Sequence, residues 1–444
     1  MEITDLYGRK IPASKVETKL LSDPRIQQTA MIKVLAKSIK CLRCGQLTPK
    51  KQAALPNGQY YCPACILLDR MSTLDYLVGI KEPNEFAKCD HSILTWQGQL
   101  SKYQQACSLE LQQKVVGGKK HLLWAVTGAG KTEMLFELIT KYLCAQKRIC
   151  LASPRVDVCN ELYPRLQEAF AKLDIQLLHG RTDEPYHYTQ LVIATTHQLL
   201  RFEHAFDLLI IDEVDAFPFV HNQQLEFAAK QALKNEGALL YLTATPDKLL
   251  QKRIKHHEFS VSYLPLRFHQ QPLPEIKVLL LPKWLEMLKT KQRLLKIEKI
   301  ILLWQQRKEP FLIFVPRIKL LTPVLQAVKL LCPDLNGESV FANDPQRIEK
   351  VLLMRKKECQ YLVTTTILER GVTFAGLNIL VLGADDAVFS LSALVQIAGR
   401  AGRNLSRPTG DVYFVCADYT RDIKGAVSQI KYLNRKAKRL LAHG

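Results

Sequence analysis

Short apolar runs recur along the chain from residue 121 onward, and segments with helical spacing fill the gaps between them. HLLWAV, RICLAS, QLVIAT, LLIID and ALLYLTA form a first series; FLIFV, QYLVTTT, LNILVLG and DVYFVC form a second that begins after residue 310. A run of that length without period-two alternation reads as a strand covered on both faces, and strands that alternate with helices pair in parallel. The pattern predicts an α/β chain of two doubly wound parallel-sheet lobes. Residues 1–40 carry weak helical patterning and no chemistry, and are read as an N-terminal extension. Residues 41–92 are rich in turn signals (Pro49, Pro56, Asn57, Gly58) and form a small cysteine-bearing module. A helix over Trp96 to Val116 leads into the first lobe, residues 93–262. Pro265, Pro272 and Pro274 mark a linker or hinge over 263–285, and Trp284 to Trp304 reads as one long basic amphipathic helix at the entry to the second lobe, residues 286–444.

A length of 444 residues has room for two lobes and one small module. Lys and Arg total 62 against 42 Asp and Glu, a net charge of +20, which points to a polyanionic partner such as nucleic acid or an anionic membrane surface. The excess peaks in residues 421–444, where seven Lys or Arg stand against one Asp, a candidate backbone-contacting helix. No stretch approaches the roughly 18 to 20 apolar residues of a membrane span, and the start MEITDLYGRK lacks the pattern of a secretion leader, so the expected location is the cytoplasm.

The segment Ala125-Val126-Thr127-Gly128-Ala129-Gly130-Lys131-Thr132 follows a strand and precedes the helical pattern EMLFELITKYL. That is the context of a phosphate-binding loop. Gly128 and Gly130 let backbone N–H groups of residues 127–132, Ala129 among them, ring the phosphates of ATP; Lys131 reaches the β and γ phosphates, and Thr132 ligates Mg²⁺. The run LLII ends in Asp212-Glu213-Val214-Asp215, two adjacent carboxylates at the carboxyl end of a strand, where open α/β sheets bind ligands. Asp212 would hold Mg²⁺ and Glu213 would polarise the attacking water. In the second lobe, Gln396-Ile397-Ala398-Gly399-Arg400-Ala401-Gly402-Arg403 places two arginines three residues apart, read as one face of a helix. Guanidinium groups brought to the γ phosphate stabilise transition-state charge, which makes Arg400 and Arg403, with Gln396, the candidates there.

Of the 12 cysteines, four are regularly spaced: Cys41-x2-Cys44, seventeen residues, then Cys62-x2-Cys65. The spacing fits a four-thiolate Zn²⁺ site, which is closed and therefore structural. The remaining cysteines (89, 107, 144, 150, 159, 332, 359 and 416) lie scattered, mostly in apolar contexts, as reduced core residues.

Taken in order, these motifs resemble the superfamily 2 helicases, whose two lobes are RecA-like, over about residues 95–416. The resemblance implies further roles. Gln104, in Leu100-Ser101-Lys102-Tyr103-Gln104, is similar to the adenine-reading glutamine. Pro154 and Arg155, with Thr195-Thr196-His197, resemble the first lobe's grips on the nucleic-acid backbone. Thr243 and Thr245, in Thr243-Ala244-Thr245-Pro246, resemble the motif that couples hydrolysis to movement. Arg317, and Thr364 with Thr365, resemble the second lobe's strand contacts, and Gly371, in Leu368-Glu369-Arg370-Gly371, belongs to a nucleotide-facing coupling motif. The QxxGRxGR form is closer to DNA translocases such as the replication-restart helicase than to RNA-directed DEAD-box proteins. In replication-restart helicases, however, the cysteines interrupt the second lobe of a longer chain, whereas here they precede Gln104.

That arrangement resembles the ComFA family of late-competence DNA-uptake helicases of Gram-positive bacteria. The family reading implies a motor on single-stranded DNA at the inner face of the membrane, near the uptake channel and with a phosphoribosyltransferase-like partner. It leaves oligomeric state, polarity and duplex separation open. A replication-restart or repair helicase, an RNA-directed motor and a zinc-dependent nucleic-acid-binding protein with a silent motor are the alternatives, separable by ATPase assays with DNA and RNA.

Overall fold

The structure, a computed structural model, describes residues 1–182, 184–290, 294–369, 374–402 and 407–443. The chain divides into two units. The first comprises Met1–Gln99, Gln105–Trp124 and Thr132–Ser262; the second comprises Leu100–Gln104, Ala125–Lys131 and Tyr263–Gly444.

The N-terminal part of the first unit holds six short strands, β1 (Ile11–Pro12), β2 (Gln27–Ala30), β3 (Ile32–Val34), β4 (Ser38–Cys41), β5 (Leu47–Pro49) and β6 (Tyr76–Gly79). They form two antiparallel sheets of order β1-β6-β2 and β3-β4-β5. The weak helical reading of residues 1–40 is thereby corrected. All four β2 side chains are exposed, so no apolar rhythm marks that strand, and its conformation is fixed by pairing with the distant β6. Because β6 runs between β1 and β2, the extension and the cysteine module interleave.

A buried guanidinium ties this region to the first lobe. Arg148 donates from Nε to the Thr189 carbonyl (3.0 Å), from Nη1 to the Tyr7 carbonyl (3.1 Å) and Glu82 Oε2 (2.6 Å), and from Nη2 to the Tyr186 hydroxyl (2.6 Å), with the Tyr188 ring 4.6 Å away.

The first large sheet contains β7 (Lys120–Ala125), β8 (Ile149–Ser153), β9 (Ile175–Leu178), β10 (Leu191–Thr195), β11 (Phe206–Ile211), β12 (Leu233–Thr243) and β13 (Ser260–Leu264), in the order β13-β7-β12-β11-β8-β10-β9. From β7 to β9 its pairs are parallel. In the second unit, β14 (Ile276–Leu280), β15 (Phe311–Phe314), β16 (Gly337–Val340), β17 (Tyr361–Thr364), β18 (Asn378–Leu382) and β19 (Val412–Cys416) form a parallel sheet of order β14-β19-β18-β15-β17-β16. Every position of β8, β10, β15, β17 and β18 is buried, as strands covered on both faces require. These are the two RecA-like lobes that the apolar pattern predicts.

Three boundaries differ from the sequence reading. The helix expected over Trp96 to Val116 spans only Lys102–Lys114. The helix expected over Trp284 to Trp304 is two, Trp284–Lys289 and Leu295–Gln306. The segment read as linker, 263–285, contains β14, which adds to the second sheet beside β19. Among the described residues, no helix is long and apolar enough to cross a membrane.

Candidate active site

β7 delivers the chain into the candidate phosphate-binding loop. Gly128 (φ 78) and Gly130 (φ 72) both occupy the left-handed region, where a Cβ is costly, and this explains the residue type at each. A 3₁₀ turn, Glu133–Leu135, follows and continues into the helix Phe136–Cys144, whose buried Phe136, Leu138, Ile139 and Leu143 fix it to the sheet. Lys131 is half-buried and Thr132 buried. Thr127 Oγ1 is buried and without a hydrogen-bond partner, an unmet polar atom that a nucleotide phosphate or its water fits.

Gln104 is tied to this loop. Its Nε2 donates to the Ala129 carbonyl (2.9 Å), its Oε1 accepts from the Ser101 N–H (2.9 Å), and its own N–H points to Ser101 Oγ at 3.4 Å. Ser101 and Gln104 form a reciprocal capping pair at the start of the helix Lys102–Lys114.

The acidic box follows β11, a central strand flanked by β12 and β8. The Asp212 N–H donates to the Ala152 carbonyl (2.8 Å), and the Glu213 N–H donates to Asp212 Oδ1 (2.9 Å). Glu213 has φ +55, a left-handed conformation for a residue with a side chain, costing on the order of 1–3 kcal/mol and characteristic of functional turns. Asp215 accepts from Thr243 Oγ1 and Thr245 Oγ1, each at 2.6 Å. The hydroxyls read as coupling groups thus converge on the last carboxylate of the acidic box.

The residues read as nucleic-acid contacts fall beside it. Pro154 and Arg155 leave the end of β8 and Thr195-Thr196-His197 leave β10, and these two strand ends are in register at Ser153 and Thr195. His197 is exposed, while Thr196 is fully buried. In the second unit Arg317 is exposed and pairs with Asp386, its Nη2 at 3.2 Å. The Thr364 hydroxyl is fully buried and donates to the Val340 carbonyl (3.0 Å), which closes the end of β17, while Thr365 is half-exposed.

The helix carrying Gln396 is Leu391–Ala398, and it stops at Gly399. Arg400 therefore sits in the turn beyond it, not on a helical face, because Gly399 caps the helix and Gly402 (φ 76) has a non-helical, left-handed backbone. Gln396 and Arg400 are both buried. Arg403 and Gly371 lie outside the described residues, as does Arg370.

The four regularly spaced cysteines converge. Cys41, Cys44, Cys62 and Cys65 are all at most 1 % exposed, and their sulfurs lie within 4.8 Å of one another. The Sγ atoms of Cys41 and Cys65 are 3.8 Å apart, and those of Cys44 and Cys62 3.7 Å. A tetrahedron with Zn–S arms of about 2.3 Å has edges of about 3.8 Å, so the set fits Zn²⁺. The knuckle rests on the first lobe: Gly45 (φ 73) lies against the ring of Phe227, on the helix Gln223–Ala232 that follows the acidic box.

Two family models match the chain: "Type III restriction enzyme, res subunit" over residues 97–248 and "Helicase conserved C-terminal domain" over residues 292–405. The competence protein ComFA of Streptococcus pneumoniae is 41% identical over 397 residues, covering 89% of this chain and 90% of that protein. Its namesake in Bacillus subtilis is 38% identical over 409 residues, 91% and 88% of the two chains. The chain belongs to the ComFA family. It is a superfamily 2 helicase, and solved helicases share the fold. The RNA-bound yeast Dbp5 has a TM-score of 0.56 at 16% identity, covering 76% of this chain and 88% of that one. Mss116 bound to single-stranded RNA has 0.57 at 18%, covering 71% and 70%.

In this ComFA-family chain six of the eight scattered cysteines are buried, while Cys89 and Cys144 are half-buried with their Sγ atoms 3.7 Å apart. Burial raises Cys107 to about 12, Cys159 to about 12 and Cys416 to about 11, far from a reactive thiolate. Three further residues are hydrogen-bonded to candidate site residues or to the turn that carries Arg400. Ser101 was legible as the first residue of a Ser-x-x-Gln capping pattern, and Asp215 as the third acid of its box. Arg267 carries no local signal: it donates from Nη2 to the Gly399 and Ala401 carbonyls, both at 2.7 Å, and from Nη1 to the Pro408 carbonyl at 3.0 Å.

Proposed function

We propose that this chain hydrolyses ATP and uses the cycle to move along single-stranded DNA, drawing transforming DNA into the cell. The observation that carries the reading is sheet order. The acidic box on β11 neighbours the end of β8 with Pro154 and Arg155, which in turn neighbours the end of β10 with Thr195 to His197. Residues fit for hydrolysis and residues fit for holding a phosphate backbone leave adjacent strands of one sheet, so a small movement at one is felt by the other.

In this reading the loop 127–132 binds the triphosphate, Glu213 orients the attacking water, and Arg400 with Arg403 offsets charge as the γ phosphate departs. Thr132 and Asp212 would hold Mg²⁺, which supplies charge neutralisation at the phosphates when bound. Gln104 reports the state of the loop through Ala129, and Thr243 with Thr245 carries the state of Asp215 into β12. The backbone grips of the two lobes alternate along one strand as ATP is bound and spent. The four-cysteine cluster would hold structural Zn²⁺ and shape the surface above the helix Gln223–Ala232. The family likeness adds a place of work at the inner membrane face, near the uptake channel and beside a phosphoribosyltransferase-like partner.

The test is ATP turnover with single-stranded DNA, duplex DNA and RNA of equal length. Turnover should be negligible alone and strongly stimulated by single-stranded DNA, and the stimulation should weaken with salt as counterion release is lost. Lys131→Ala should abolish turnover, and Glu213→Gln should bind ATP without hydrolysing it. Turnover indifferent to single-stranded DNA would overturn the reading.

A further inference from the structure

The segment that leaves β13 touches both the phosphate loop and the arginine-bearing turn. Within the second unit, the Val126 N–H donates to the Leu264 carbonyl (3.1 Å) and the Phe268 N–H donates to the Gly128 carbonyl (2.9 Å). Between those two contacts lies Arg267, 1 % exposed, with its guanidinium on the carbonyls of Gly399, Ala401 and Pro408. Gly399 and Ala401 bracket Arg400. The turn also approaches the loop closely: a Cβ on Gly399 would stand 1.8 Å from Thr127 Oγ1.

We propose that Arg267 is a positioning residue that fixes the turn carrying Arg400 relative to the phosphate loop. The physical case rests on what stops a helix. At the end of Leu391–Ala398 the carbonyls of Val395, Ile397 and Ala398 accept from the N–H groups of Gly399, Arg400 and Ala401, but the carbonyls of Gly399 and Ala401 lie past the last helical N–H, and glycines at 399 and 402 constrain this backbone least of any residue. A buried guanidinium supplies several donors in a rigid plane and meets both of those turn carbonyls together with that of Pro408, which favours one conformation of the backbone on either side of Arg400. A lysine has the charge but not the fork. Because the neighbouring backbone of Arg267 is hydrogen-bonded to Gly128, a shift of the loop on nucleotide binding is transmitted to the turn through one residue.

The inference rests on Arg400 as the charge-stabilising residue of ATP hydrolysis, so the experiment separates the two. DNA-stimulated kcat, KM for ATP, affinity for a fluorescent ATP analogue and Tm are measured for Arg267→Ala, Arg267→Lys, Arg400→Ala and the double variant Arg267→Ala/Arg400→Ala. Misplacement of a reacting group by about 1 Å costs on the order of 10²-fold in rate. Arg267→Ala is therefore expected to lower kcat roughly 10- to 100-fold with KM and analogue affinity within about threefold, and the double variant to be no slower than Arg400→Ala alone. Arg267→Lys, which keeps charge and bulk, should fold with a Tm near wild type and still lose most of that kcat, so the outcome stands even where the alanine variant fails to fold. Multiplicative losses in the double variant, or wild-type kcat in a folded Arg267→Lys, would overturn the proposal. Normal kcat in Arg400→Ala would instead overturn the reading of Arg400 on which it rests.

Discussion

The hydroxyl of Thr243 donates to the carboxylate of Asp215 across 2.6 Å, joining the end of β12 to the acidic box that follows β11. Thr245 makes the second such contact, and its own N–H donates to Thr243 Oγ1 at 3.0 Å, so the three residues form a closed network. Under the proposed function, the network would carry changes at the acidic box to the segment after β12. Replacing both threonines by valine keeps side-chain volume and removes both donors to Asp215, at a cost of about 1–3 kcal/mol. ATP binding should survive, hydrolysis should persist in part, and the factor by which single-stranded DNA accelerates turnover should fall about tenfold. Measuring turnover across a DNA titration checks this; an unchanged stimulation factor would remove the coupling role.

Gly45 offers a direct measure of how firmly the cysteine cluster is seated on the motor. It has φ +73, and an added Cβ would meet the Phe227 ring at 2.7 Å. Gly58 has a similar φ of +68 with nothing within 4 Å. The two alanine variants thus share backbone strain of about 1 kcal/mol, and only Gly45→Ala adds an overlap, worth roughly 1–3 kcal/mol more. Tm should drop further for Gly45→Ala, with zinc content unchanged in both. Equal drops would mean that the knuckle is not held against the helix Gln223–Ala232. Chelation of the metal should lower stability by more than either substitution, because four buried thiolates lose their common partner.

The strands that the apolar pattern finds are all interior, and the four that it misses, β9, β13, β14 and β16, are the outer strands of the two sheets. The reason is physical. An interior strand of a doubly wound sheet is covered on both faces and must be continuously apolar, whereas an edge strand is held by one neighbour: none of the five β14 positions is buried, and β16 reads Gly-Glu-Ser-Val. The left-handed backbone at Gly128 and the cysteine cluster containing Cys41 follow from local motifs, because the loop and the knuckle are local structures. Arg267 was not readable in this way, because its partners at 399, 401 and 408 are distant in sequence and backbone carbonyls leave no residue signature.

His121, fully buried on β7, has one ring nitrogen 2.6 Å from Ser260 Oγ and the other 2.9 Å from Ser262 Oγ, both on β13. Burial holds it down at about 4, below the ordinary 6.5, with the Glu110 carboxylate opposing and the Lys114 ammonium assisting. The unfolded chain therefore binds a proton that the folded chain refuses between those values. The contribution of neutral His121 is fully present above pH 6.5 and is lost as pH falls from 6.5 toward 4, at most about 3 kcal/mol in all. Denaturant unfolding of wild type and His121→Asn across that window checks the sign: the variant should be less stable at pH 7.5, with a pH slope shallower by up to about 1.4 kcal/mol per unit. Parallel pH profiles would show that His121 does not titrate on unfolding.

Arg148 and Glu82 both have fully buried side chains, and the pair joins the N-terminal strands to β8. Glu82 also accepts from the Tyr188 hydroxyl and the Asn84 N–H, so its carboxylate is well satisfied only while Arg148 is present. Arg148→Met leaves that charge in an apolar pocket with Phe202 and Phe206 nearby and should cost about 3–5 kcal/mol. Glu82→Gln in the same chain removes the stranded charge. The double variant should therefore recover part of the loss, with a coupling energy of about 1–3 kcal/mol. Because Arg148 Nη1 also holds the Tyr7 carbonyl, the single variant should expose the first sixteen residues to limited proteolysis before the motor lobes unfold. A protease pattern identical to wild type, or strictly additive losses, would show that the pair is incidental to how the N-terminal sheet is anchored.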